Sequence, residues 1–197
     1  MKVIDNVLAE KNAEHLEGLL TRSRLQWSYM PSTALGINVE ETDQHNKNIV
    51  DHGQWTYNIF EEDRVVDDTI FNAVLPILYN VMEREGLEFE QLFRVRLNCL
   101  TIDRAFKDTE YNQPHQDVPM DGCKTIVYYV NDSDGDTVVF DGDEIVERCS
   151  PKRNRACIID SNKFHASCNP SERSVRYVIS FLLPIKGEDN DVSNGLV

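Results

Sequence analysis

The period of apolar and polar positions changes near residue 92 of this chain. Upstream, the spacing is helical. After a short apolar run at the N-terminus, Leu8, Leu16, Leu19 and Leu20 recur at roughly helical spacing, so an amphipathic helix is expected within residues 3–25. A second helix is expected from an Asp67/Asp68 cap through Ile70, Phe71, Val74, Ile77, Leu78 and Val81 to Gly86. Pro76 falls inside it and should kink or break it, because proline has no amide donor. Residues 28–63 follow no clear period, and Trp27, Tyr29, Trp55 and Tyr57 are scattered among polar residues there. A substrate cleft or ordinary core packing would each account for such aromatics.

Downstream, short strand-like runs follow one another: Phe93–Ile102, Lys124–Val130, Thr137–Phe140, Glu144–Cys149, Ala156–Ile159 and Val175–Leu183. Turn-rich links such as 131–135 separate them. The pattern predicts one mainly β (α+β) domain, an antiparallel sandwich or barrel with the N-terminal helices packed outside. Residues 1–90 would be a helical support region, 91–185 the core, and 186–197 a loose polar tail.

The last run has two distinct faces. Val175, Tyr177, Ile179, Phe181 and Leu183 form an apolar face suited to packing against helices; Arg176, Val178, Ser180 and Leu182 form the other. In a barrel with external helices that second face looks inward. A buried guanidinium needs an anion, either an internal carboxylate or a bound one held through paired hydrogen bonds.

Composition narrows the functional classes. Of 197 residues, 41% are hydrophobic and 27% charged, as in a globular protein, and the formal charge is −14. That field disfavours nucleic acid and anionic membrane as partners and slightly favours a cationic or neutral peptide. The basic clusters, Arg94/Arg96 and Lys152-Arg153-Asn154-Arg155, read as solvated strand ends. Five cysteines without a CxxC pair fit reduced thiols and a cytoplasmic location, with Cys99 and Cys157 as buried filler. No signal-like N-terminus and no 18-residue apolar run is evident, so no membrane partner is expected.

Candidate chemistry centres on His115-Gln116-Asp117 and His165. Residues two apart on an extended segment project to one face, so His115 and Asp117 can converge on one ion. Two imidazoles and one carboxylate suit non-haem Fe(II). The competing reading is a surface hydrogen-bonded pair and an unrelated histidine. Asp132-Ser-Asp134-Gly-Asp136 has the look of a calcium loop, but Thr137 replaces the required glycine and a strand follows, so a solvated turn is expected. The sequon at Asn131 is taken as coincidental, and His45 and His52 as surface residues.

From about 93 to 184 the sequence resembles the iron(II)/2-oxoglutarate-dependent oxygenases, most of all their prolyl hydroxylase branch. The resemblance is carried by His115-Gln-Asp117, Lys124-Thr-Ile-Val-Tyr-Tyr129-Val-Asn131, Gly135-Asp-Thr-Val-Val-Phe140, His165-Ala-Ser-Cys-Asn-Pro170 and Arg176-Tyr-Val-Ile-Ser180-Phe181. It implies a double-stranded β-helix (jelly roll), with Fe(II) on His115, Asp117 and His165. It also implies 2-oxoglutarate anchored by Arg176, with Tyr129 as a further contact; Ser180, on the same face of the last strand as Arg176, is another candidate contact. Dioxygen and, as accessory reductant, ascorbate complete the chemistry. The carboxylate ligand implies hydroxylation rather than halogenation. Three departures stand out: a longer interval from His165 to Arg176, Gly135-Asp136 in place of a double glycine, and no tyrosine near Asn98-Cys99-Leu100. The first keeps Arg173 open as an alternative anchor. A peptidyl proline or a small molecule such as a free amino acid is the expected substrate. A catalytically silent jelly roll and a cupin-like metalloenzyme without a keto acid remain as alternatives.

Overall fold

The computed structural model describes residues 1–22, 24–34, 48–172 and 174–187. In chain order the elements are β1 (Lys2–Asp5), α1 (Glu10–Arg22), β2 (Ser28–Met30), β3 (Gln54–Glu61), β4 (Arg64–Val65) and α2 (Asp68–Glu85). They continue with β5 (Arg94–Leu100), β6 (Cys123–Tyr129), β7 (Thr137–Asp141), β8 (Glu144–Cys149), β9 (Arg155–Asp160), β10 (His165–Ser167) and β11 (Arg176–Pro184). The larger sheet runs β1-β9-β6-β11-β5-β3-β2, with β4 attached to β3; the smaller runs β10-β7-β8. Every pairing between these strands is antiparallel, giving the expected jelly roll.

α2 begins where the Asp67 carboxylate accepts from the Ile70 amide, and ends at Gly86 in the left-handed conformation, φ 65°. Its buried side chains, Ile70, Val74, Ile77, Leu78 and Val81, keep the helical interval. The helix continues through Pro76 without the expected break. Proline removes the bond to the carbonyl four residues back, that of Asn72, and Asn72 and Pro76 are both exposed, so solvent can satisfy it.

Both helices pack on the outer face of the larger sheet. Leu16 and Leu20 of α1 and the apolar face of α2 join Val95, Leu97, Ile126, Tyr128, Ile158, Ile179, Phe181 and Leu183 in the main core. The apolar face of β11 is therefore the helix-facing one, as its alternation requires. A smaller cluster, including Val127, Tyr129, Val139, Ile159 and Val178, lies between the two sheets.

The first ninety residues also supply strands. β1 pairs with β9, and β3 extends the larger sheet beyond β5. Trp27 and Tyr57 pack against the main core, whereas Trp55 is exposed beside Tyr29, ring centroids 5.2 Å apart.

The acidic turn after β6 is structural. Asp132 accepts from the Arg153 amide, Asp134 from the Ser171 and Glu172 amides, and Asp136 pairs with Arg148. Asn131 bonds the Val175 carbonyl and the Tyr177 amide across the sheet. All five cysteines are buried and free. His52 pairs with Asp103 at the surface, 2.9 Å, while His45, Arg173 and residues 188–197 lie outside the described residues. No helix among the described residues is long and apolar enough to cross a membrane.

Candidate active site

His115 lies in the loop between β5 and β6 rather than on a long strand. It is held by one antiparallel bridge to His165 of β10, with reciprocal amide–carbonyl bonds of 3.0 and 2.9 Å. The bridge sets the two imidazoles side by side, ring centroids 4.6 Å apart. Asp117 follows on the same loop, its Oδ2 3.5 Å from His165 Nε2. One ligand atom from each of His115, Asp117 and His165 lies within 4.8 Å of the others, so the three could hold a metal ion.

Neighbouring groups orient all three. His115 Nδ1 lies 3.0 Å from the Gln113 carbonyl and His165 Nδ1 3.0 Å from that of Lys163. A carbonyl only accepts, so each Nδ1 carries a proton, and each imidazole, when neutral, keeps its Nε2 lone pair for a metal. The Asp117 carboxylate accepts from Arg94 Nη2 and from the Thr125 hydroxyl, both at 2.6 Å.

The electrostatics suit a divalent cation. Burial pushes His115 down to about 4, helped by the neighbouring His165, so its imidazole is neutral. Burial alone would raise Asp117, but the His165 hydrogen bond and the Arg94 charge hold it well below the usual carboxylate range. Burial alone would lower His165, and Asp117 reverses that effect and raises it. In each case the carboxylate supplies the negative charge that a metal would meet.

These groups open into a cavity of about 220 Å³ between the two sheets. Arg176 reaches it from β11, only 4% exposed. Arg176 Nη2 donates to Thr137 Oγ1 at 2.7 Å, and its guanidinium lies 5.6 Å from the Tyr129 ring centre. Its Nε is buried without a partner among the described residues. A buried unpaired N–H is costly, and a bound carboxylate would satisfy it. Gly135 makes room for this arginine, because a Cβ there would collide with the Cys168 carbonyl oxygen and approach Arg176 Cδ to 3.1 Å.

Tyr129 and Ser180 are engaged within the protein. Tyr129, fully buried, donates to Thr137 at 2.7 Å, so it backs the partner of Arg176. Ser180 lines the cavity, and its hydroxyl lies 3.4 Å from the Arg96 carbonyl, which can only accept.

The reading of Arg94/Arg96 as a solvated strand end is corrected by their place in the cavity wall, each side chain 19% exposed. A strand whose inner face lines a polar cavity alternates just as a solvated strand does. The second basic cluster faces outward, where Arg153 pairs with Glu10 and Glu17 of α1 and Arg155 with Asp5. Thr125 sits inside an apolar run, so the sequence carries no signal of its bond to Asp117.

Comparison with known proteins agrees with this geometry. Residues 100–183 match the model of the 2OG-Fe(II) oxygenase superfamily. No curated protein matches the chain in sequence. Among solved structures, a prolyl hydroxylase from Trichoplax adhaerens, in complex with a hypoxia inducible factor oxygen degradation domain peptide fragment, aligns at TM-score 0.61 and 15% identity over 93% of this chain and 82% of that one. A Pseudomonas putida prolyl-4-hydroxylase aligns at 0.55 and 12% over 93% and 91%. A non-haem α-ketoglutarate-dependent epimerase from nogalamycin biosynthesis aligns at 0.57 and 14% over 91% and 75%. At these identities the likeness establishes the fold. With the family match over residues 100–183 and the His-Asp-His cluster inside that stretch, the chain is similar to the oxygenases of the 2OG-Fe(II) superfamily.

Proposed function

We propose that His115, Asp117 and His165 hold Fe(II), that Arg176 anchors the distal carboxylate of 2-oxoglutarate, and that the chain hydroxylates a peptide or small-molecule substrate. The observation that carries this reading is one cavity containing both the three-ligand cluster, each Nε2 freed by an Nδ1–carbonyl bond, and a buried arginine with an unpaired Nε. When bound, the iron, the keto acid and dioxygen supply oxidative decarboxylation to succinate and carbon dioxide, coupled to oxidation of a substrate C–H bond.

The chain's own residues position and exclude. The Gln113 and Lys163 carbonyls fix the imidazole tautomers, while Arg94 and Thr125 fix the carboxylate. Thr137, backed by Tyr129, holds the Arg176 guanidinium. Val127 and Val178 give the wall of the same cavity an apolar stretch.

Peptidyl proline is the proposed primary target on the resemblance of the site motifs, and a small-molecule acceptor is the second reading. Residues 1–90 act as support within one oxygenase unit. Five buried free thiols favour a cytoplasmic setting, and the overall negative charge disfavours nucleic acid. The test is succinate formation from 2-oxoglutarate with Fe(II) and ascorbate, first alone and then with proline-containing peptides. Turnover that Asp117→Ala abolishes is expected; turnover independent of Asp117 would overturn the reading.

A further inference from the structure

We propose that Arg94 and Arg96 form a recognition site for one carboxylate of the primary substrate, separate from the arginine that anchors the co-substrate. The proposal rests on the oxygenase reading above. On β5, Arg94, Arg96 and Asn98 face the cavity, while Val95 and Leu97 face the helix-side core. Along the neighbouring strand Arg176 stands opposite Leu100, Ser180 opposite Arg96 and Leu182 opposite Arg94. At about 3.3 Å per residue, the backbone positions of Arg96 and Arg94 lie roughly 13 and 20 Å along the sheet from Arg176. A five-carbon keto diacid held by Arg176 at one end leaves Arg96, which unlike Arg94 bonds Asn58 and Glu61 rather than a candidate metal ligand, to another ligand.

Charge balance gives that ligand its sign. In the loaded site, the two positive charges of the metal and that of Arg176 are offset by Asp117 and the dianionic keto acid. The imidazoles are neutral as ligands. Arg94 and Arg96 then remain, with Glu61 as the counter-ion of Arg96 at 3.1 Å. Among the described residues one positive charge is left over in a largely buried wall, where a guanidinium that lacks a full counter-charge is costly. A single carboxylate restores the balance.

The donors are already arranged. Arg96 Nε donates to Asn58 Oδ1 at 2.7 Å and its Nη2 to Glu61, so two side chains of β3 fix the guanidinium plane while using two of its five N–H groups. Arg94 spends Nη2 on Asp117, and its Nε is buried without a partner among the described residues. Arg96 and Met30 line both the metal-site cavity and an adjoining hollow bordered by Arg24, Tyr57, Asn58 and Asp67, the last engaged by the Ile70 amide and the Tyr57 hydroxyl. Arg96 thus stands where the two spaces meet, placed to hold the acid group of a molecule whose body occupies the adjoining hollow. The chain's net charge of −14 suggests a neutral or cationic ligand, whereas the cavity selects the opposite sign. Free amino acids and acidic peptides share the required carboxylate.

The experiment uses the anaerobic Fe(II)- and 2-oxoglutarate-loaded protein. N-acetyl amino acids, N-acetyl dipeptides and the matching carboxamides are titrated by calorimetry, and succinate release is then measured in air. At least one acid is expected to bind about 10-fold or more tightly than its amide. Arg96→Gln should reduce that preference to within about 2-fold and Arg96→Lys should restore part of it, with 2-oxoglutarate affinity kept in both. Comparison of the single amino acids with the dipeptides separates the two sources. Equal binding of acid and amide, failure of every acid to bind, or a preference that survives Arg96→Gln overturns the arginine site. Loss of 2-oxoglutarate affinity in Arg96→Gln assigns the pair to the co-substrate and overturns it as well. Absence of 2-oxoglutarate binding by the unaltered protein would instead overturn the oxygenase reading.

Discussion

Arg94 Nη2 lies 2.6 Å from Asp117 Oδ1, so the carboxylate of the candidate metal cluster is clamped by a guanidinium from the adjacent strand. Two effects oppose each other here: the clamp orients a ligand, and its positive charge repels a metal. Groups that orient metal ligands commonly contribute 10–100-fold in affinity or activity. Arg94→Ala is therefore expected to weaken Fe(II) binding about 10-fold, read by competitive metal titration. Tighter metal binding in that variant would mean that repulsion outweighs orientation.

Along β11, Arg176 and Ser180 should separate cleanly. Arg176→Gln removes the charged donor with the unpaired Nε and should raise the Kd for 2-oxoglutarate by about 10-fold or more. The Ser180 hydroxyl is within reach of the Arg96 carbonyl at 3.4 Å, a weak contact, so Ser180→Ala should change that Kd by no more than about 3-fold. A large loss in Ser180→Ala would make the serine a direct co-substrate contact.

Stability should carry an acid limb from the cap of α2. The Asp67 carboxyl is held below its ordinary value of 3.8, first by the Ile70 amide and further by the Tyr57 hydroxyl, against a smaller opposing effect of burial. A depressed folded value means that the stabilisation is present above the unfolded value and is lost as pH falls through the folded one. Asp67→Ala should cost about 1 kcal/mol near neutral pH by thermal unfolding, with a gap that narrows below pH 3.8. A gap independent of pH would contradict the charged cap.

Phe181 tests the outer core independently of the site. It is fully buried on the helix-facing side of β11, so Phe181→Ala should destabilise by about 3–5 kcal/mol. The cavity side of the same strand, Arg176, Val178 and Ser180, keeps its chemistry, so 2-oxoglutarate affinity should persist in the folded fraction.

These two faces of β11 were readable from sequence because one is wholly apolar and the other contains an arginine that needs an anion. α2 was readable from its caps and its apolar interval. β3 was not, for two physical reasons. Its cavity-side residues Gln54, Thr56 and Asn58 are polar, with aromatics on the opposite face, and the register shifts between Asn58 and Phe60. The same inversion hid Arg94 and Arg96, since periodicity does not tell a polar cavity wall from a solvated face. β10, with three residues, is too short to show a period, and His115 is held by a bridge that becomes visible only in three dimensions. The candidate metal cluster is legible as a set of ligand types in order, while the groups that bond its carboxylate, Arg94 and Thr125, require the fold.

The most direct measurement is anaerobic titration of the protein with Fe(II) and 2-oxoglutarate, followed by visible absorption. Chelation of the keto acid to iron held by His115, Asp117 and His165 should give a metal-to-ligand charge-transfer band that saturates at one equivalent of iron and is lost in Asp117→Ala. Correctly folded protein that binds neither the metal nor the keto acid, and develops no band, would contradict the account.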